Sequence, residues 1–145
     1  MKTPLIIGSD HAGFELKERL KQALDERGIA YEDVGTHSAE SVDYPDFAHR
    51  VARAVSSGQA EKGLLVCGSG QGMAMTANKY EGVRAALPHD EESARLSREH
   101  NDANVLALGG RVLSPEVAER ILDVWLETPF GGGRHQRRVD KIDRH

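Results

Sequence analysis

The sequence predicts an α/β fold in which a five-stranded parallel sheet is wound on both faces by helices. Two observations carry this: short apolar runs recur five times along 145 residues, and the segments between them repeat apolar residues at three and four positions. The first run, Leu5 to Ile7, leads into the polar, glycine-bearing stretch Gly8 to Gly13. Leu16, Leu20, Ala23 and Leu24 then share one helix face, and Gly28 suits the helix end. Ile29 to Val34 reads as the second strand. Pro45 suits a first helical position, Phe47, Val51, Ala54 and Val55 form the next apolar face, and Gly58 closes it. Leu64 to Cys67 is the third strand, followed by a glycine loop and a helical stretch over Met73 to Lys79. Val83 to Leu87 is the fourth. Residues 89–102 are polar, and Asp90, Glu91, Glu92, Arg95, Arg98 and Glu99 read as a solvated helix face. Val105 to Leu108 is the fifth strand. Ser114 suits the N-cap before Pro115, opening a helix on Val117, Ile121, Leu122 and Trp125. Gly131 to Gly133 turns the chain into a last short basic helix. Continuously apolar strands alternating with helices call for right-handed crossovers and an open, doubly wound, three-layer α/β/α arrangement. With no internal repeat and no linker, residues 1–145 read as one domain.

Charge narrows the partners. Nineteen Lys and Arg against 23 Asp and Glu give a net charge of -4, which does not favour a polyanion, so no nucleic-acid partner is expected. Residues 131–145 carry a local +3, leaving -7 for the first 130 residues: a small basic tail on an acidic body. The single Cys excludes an intrachain disulfide and fits the reducing cytoplasm. Leu5 to Ile7 is too short for a signal-peptide core, and no run approaches the ~18 apolar residues of a membrane span.

In a doubly wound sheet ligands bind beyond the carboxyl ends of the strands, so the strand exits are where chemistry is expected. Gly68-Ser69-Gly70-Gln71-Gly72 follows the third strand and precedes a helix. Its glycines either aim backbone amides at an anion or only relieve a tight turn; the loop lacks the Lys-Ser/Thr of a Walker motif. Cys67 immediately precedes it, either as a thiolate base or nucleophile favoured by nearby amides, or as a small apolar residue ending a strand. Asp10 and His11 leave the first strand together and suit either a polar ligand or a local cap. No three metal ligands stand at recognised spacings, and no metal is expected. Arg111, Arg134 and Arg138 are candidates for an anion clamp; the last two are spaced i, i+4 with His135 adjacent, a pattern that also suits a solubilising tail. His100 and Asn101 precede the fifth strand, at its amino end, so placing them in the same crevice is awkward for a single chain, and a neighbouring subunit would resolve it. Tyr44 and Met73 either line the pocket or pack ordinarily. His37, His49 and His145 receive no role.

Six motifs in order, Gly8-Ser-Asp-His-Ala-Gly-Phe14, Asp43-Tyr-Pro45, Cys67-Gly-Ser-Gly-Gln-Gly72, Ala77-Asn-Lys79, Ser97-Arg-Glu-His-Asn-Asp102 and Gly132-Gly-Arg-His-Gln-Arg-Arg138, resemble the ribose-5-phosphate isomerase B family across essentially the whole chain. That family also includes galactose-6-phosphate and allose-6-phosphate isomerases. The resemblance implies a Rossmann-like fold, a homodimer or dimer of dimers with sites shared between chains, and no metal or nucleotide cofactor. It further implies interconversion of D-ribose 5-phosphate and D-ribulose 5-phosphate, a reaction of the pentose phosphate pathway, through a cis-enediolate.

Residue by residue, it implies that Cys67 is the base moving the proton between C2 and C1, that His100 opens the furanose ring, and that Ser69 assists. Amides of Gly68, Ser69, Gly70, Gln71 and Gly72 hold the enediolate oxygens; Asp10 and Asn101 bind hydroxyls; His11, Arg111, Arg134 and Arg138 hold the phosphate. One branch of the family replaces the cysteine by a Glu after the glycine loop, where this chain has Met73, so the chain follows the cysteine branch. Isomerisation of allose, galactose or tetrose phosphates is the alternative within the family. A non-catalytic, flavodoxin-like phosphate- or nucleotide-binding module is the alternative outside it.

Overall fold

The computed structural model describes residues 1–144, so His145 lies outside the described residues. Its elements run β1 (Leu5–Ser9), α1 (Phe14–Glu26), β2 (Tyr31–Asp33), α2 (Tyr44–Ser56), β3 (Gly63–Cys67), α3 (Gln71–Ala77), β4 (Ala85–Ala86), α4 (Glu91–Glu99), β5 (Val105–Gly109), α5 (Pro115–Glu127) and α6 (Arg134–Asp143). All strand pairs are parallel, in the order β2-β1-β3-β5-β4.

Strand alternation sorts the core into two clusters. Leu5, Ile7, Leu64, Val66, Leu106 and Leu108 face one side with α1, α4 and α5, where Trp125 is fully buried. Ile6, Leu65, Cys67 and Val105 face the other, under Phe47, Val51 and Val55 of α2 and Met73 and Ala77 of α3. The doubly wound, Rossmann-like three-layer arrangement expected from the sequence is therefore present. The caps agree as well: Ser114 accepts from the Val117 amide at 3.2 Å, and Gly28 and Gly58 take positive φ after their helices.

The departures fall mainly at the sheet edges. The second strand shrinks from the expected Ile29–Val34 to Tyr31–Asp33, and the fourth from Val83–Leu87 to Ala85–Ala86. Both are edge strands, paired on one side only, and apolar runs do not reveal where an edge ladder stops. α3 begins at Gln71 and ends at Ala77, two residues earlier at each end than the apolar pattern suggests. Among the described residues no helix is long and apolar enough to cross a membrane.

Candidate active site

β1 hands the chain to α1 on one face and β3 hands it to α3 on the other, so a crevice opens between their carboxyl ends. Backbone bonds draw three strand exits together there: Asp10 N–H to Val66 O at 3.2 Å, Gly110 N–H to Cys67 O at 2.7 Å and Arg111 N–H to Gly68 O at 2.9 Å. Gly13 makes the approach possible, because a Cβ on it would stand 2.2 Å from the Val66 carbonyl oxygen. The resulting cleft, about 500 Å³, is lined by Asp10, His11, Tyr44, Cys67, Ser69 and Arg111, with Ala12, Gly68, Gly72 and Val112 between them.

Cys67 is only 5% exposed, and its sulfur accepts a hydrogen bond from the Gly70 amide at 3.2 Å. Gly70 has φ 81°, and a Cβ there would meet Leu87 Cδ1 at 2.4 Å and the Leu108 carbonyl carbon at 3.0 Å. The glycine therefore aims its N–H at the sulfur through a backbone conformation that other residues rarely adopt. The Gln71 amide turns toward Ser69 Oγ at 3.4 Å, leaving the Ser69 side chain exposed to the cleft. Two loop amides expected to face an anion thus point within the loop.

Asp10 is buried, with one carboxylate oxygen accepting from the Gly13 amide at 2.9 Å. His11 Nδ1 accepts from the Val42 amide at 3.1 Å, which places the proton of the neutral ring on Nε2 and makes that nitrogen a donor. The Arg111 side chain lies over Gly68, its Cδ 3.5 Å from the position a Cβ would take. Tyr44 lines the cleft with its ring against Gly72, whereas Met73 is fully buried in the core.

His100, Asn101, Arg134 and Arg138 are not in this cleft. His100 caps the C-terminus of α4, and α4 leads into the amino end of β5, so it lies across the sheet from Cys67. Strands of five residues put about 16 Å between those ends. His100 stacks on His135, and Arg134 and Arg138 lie on the same helix, so these residues form a second cluster. A larger cavity, about 830 Å³, opens at this end between Asn78, Arg84, Asn101 and Asp143. It contains neither Cys67 nor the glycine loop, and its size alone does not make it the reacting site.

The turn carrying His100 depends on a residue the sequence pattern misassigned. Arg98, expected on a solvated face, is 5% exposed: its Nη1 donates to Asp102 Oδ1 at 2.9 Å and Ala103 O at 2.7 Å, and its Nε to Thr128 O at 3.1 Å. These bonds hold Asp102 at φ 48°, the left-handed residue that ends the helix after His100 and Asn101. The Arg98/Asp102 spacing of four residues was the available signal. Val112, exposed at the cleft edge, had none.

A model of the family described as Ribose/Galactose Isomerase matches residues 5–142. The chain belongs to the ribose/galactose isomerase family. Ribose-5-phosphate isomerase B of Escherichia coli is 48% identical over 138 residues, covering 95% of this chain and 93% of the relative. The crystal structure of a ribose 5-phosphate isomerase from Thermotoga maritima has a TM-score of 0.95 at 51% identity, with both chains covered completely. Ribose-5-phosphate isomerase B from Mycoplasma genitalium, solved with bound ribulose-5-phosphate, has a TM-score of 0.95 at 42% identity over 99% of this chain and 96% of that one. By this membership the chain is an isomerase.

Proposed function

We propose that the protein interconverts D-ribose 5-phosphate and D-ribulose 5-phosphate by a metal-free cis-enediolate mechanism in which Cys67 is the base. The observation that carries the reading is the Cys67 sulfur, supported by the Gly70 amide and set among Asp10, His11, Ser69 and Arg111 in one cleft. The Cys67 thiolate takes the proton from C2 of the open-chain aldose and returns it to C1, while the hydroxyl proton moves between the two oxygens. Loop amides not engaged within the loop stabilise the enediolate, each well-placed donor contributing about 2.7 to 4 kcal/mol. Asp10 binds a sugar hydroxyl, and His11 and Arg111 approach the phosphate.

The second cluster completes this site from another copy of the chain, in a homodimer or dimer of dimers. His100 opens the furanose ring, Asn101 holds a hydroxyl, and Arg134 and Arg138 clamp the phosphate. The reason is geometric: the two clusters lie at opposite ends of one sheet, and an antiparallel pair of chains sets each against its complement. The residues call for no cofactor.

Proton NMR of the EDTA-treated protein with ribose 5-phosphate in deuterated water tests the reading. Ribulose 5-phosphate with deuterium at the exchanging carbon is the expected result. Conversion that stops on EDTA treatment would replace the thiolate mechanism by a metal-assisted one. No conversion of ribose 5-phosphate, with turnover of an allose, galactose or tetrose phosphate, would move the substrate within the family.

A further inference from the structure

We propose that His135 is a positioning residue for His100: its ring, stacked against the His100 imidazole, fixes the plane from which His100 meets the sugar. The inference rests on the ring-opening role given above to His100. The ring centroids are 4.3 Å apart and the planes differ by 16°.

The stack joins two elements distant in sequence, the C-cap of α4 and the second residue of α6. What brings them together is the glycine run. The Gly131 amide donates to Glu99 O at 2.9 Å, and a Cβ at residue 131 would lie 3.0 Å from that oxygen and 3.8 Å from His135 Cδ2. Gly132 and Gly133, at φ 63° and 55°, then turn the chain into α6. The His100 side is fixed independently by Arg98, through the turn that follows the ring.

Charges face the pair from both helices. On α4 stand Glu92, Arg95 and Glu99, with Glu99 Oε1 4.0 Å from His100 Nε2; Arg95 already engages both glutamates. On α6 stand Arg134 and Arg138. Burial holds the His135 imidazole below its ordinary range, the positive charges of His100, Arg134 and Arg138 push it the same way, and Glu99 opposes them. Held below its ordinary range, His135 is the neutral ring of the stack at pH 7, so it packs on His100 without adding a second positive charge. In ring opening His100 gives a proton to the ring oxygen as the bond from C1 to that oxygen breaks, and regains one from the C1 hydroxyl as the carbonyl forms, so the orientation of its ring sets the reach to both oxygens.

The test uses the full chain and its His135→Ala, His135→Phe and His100→Ala variants, with steady-state kcat and KM on ribose 5-phosphate. His135→Ala is expected to lower kcat about tenfold while KM changes less than about twofold, since misplacing a catalytic group affects turnover first. Phenylalanine restores the stack without a titrating nitrogen. His135→Phe should therefore recover most of the lost rate. A kcat within twofold of wild type in His135→Ala, or no recovery of rate in His135→Phe, would overturn the inference. Full activity in His100→Ala would overturn the ring-opening role itself, and this inference with it.

Discussion

The Gly70 amide nitrogen lies 3.2 Å from the Cys67 sulfur, across a turn that holds Gly70 at φ 81°. Gly70→Ala places a methyl 2.4 Å from Leu87 Cδ1 and forces a side chain into the left-handed region. The sulfur then loses its donor, and kcat should fall about 100-fold, as for removal of a single oxyanion donor. Alkylation by iodoacetamide at neutral pH should slow in parallel. An unchanged alkylation rate would show that the amide does not support the thiolate.

Cys67→Ala distinguishes an isomerase from a binding module with the same glycine loop. If Cys67 is the base as proposed, its removal should lower kcat at least about 1,000-fold, while calorimetry still detects ribose 5-phosphate, because Asp10, His11 and Arg111 remain. Retained turnover would assign the proton transfer to another group.

The strands legible as continuous apolar runs were the central ones, because β1, β3 and β5 are buried on both faces and their composition records it. β2 and β4 blurred because an edge strand's length is set by its one neighbour. The grouping around Cys67 was legible because Cys67 ends β3 and Asp10, His11, Ser69 and Arg111 stand within two residues after a strand. The interior placement of Arg98 was not, since a run of charges does not distinguish a solvated guanidinium from one satisfied by Asp102, Ala103 and Thr128. The same holds for Lys17, an apparently ordinary helix lysine whose side chain is wholly buried.

Lys17 Nζ donates to Asp33 Oδ1 at 2.7 Å and also reaches Thr36 O, tying α1 to the loop after β2. Asp33→Asn leaves the buried ammonium without its counterion and should destabilise the fold by about 3 to 5 kcal/mol at neutral pH. Burial pushes the Asp33 carboxyl up, but hydrogen bonds from Lys17, the Gly35 amide and Lys21 outweigh it and hold the group below its ordinary range. A depressed carboxyl contributes stability above its unfolded value of about 3.9 and loses it as pH falls through the folded value. Denaturant unfolding at pH 7, 5 and 3 should therefore show the gap between wild type and Asp33→Asn narrowing toward pH 3. A constant gap would mean that the pair's charge does not contribute.

The phosphate clamp proposed for Arg134 is remote from the reacting carbons and would supply positioning energy, so Arg134→Ala should lower kcat as well as raise KM. A change in KM alone would contradict that role. Arg134→Ala also gives the most direct reading of how the two clusters combine. Arg134 lies on α6 and Cys67 at the end of β3, in clusters a sheet apart. If each site takes Cys67 from one chain and Arg134 from another, a dimer of one Cys67→Ala chain and one Arg134→Ala chain contains one intact site and one doubly defective site. Unfolding and refolding the two impaired variants together makes about half the dimers mixed, each with one of its two sites intact, so activity should rise to about a quarter of wild type. If both residues of a site came from the same chain, every site in the mixture would carry one defect and activity would not rise.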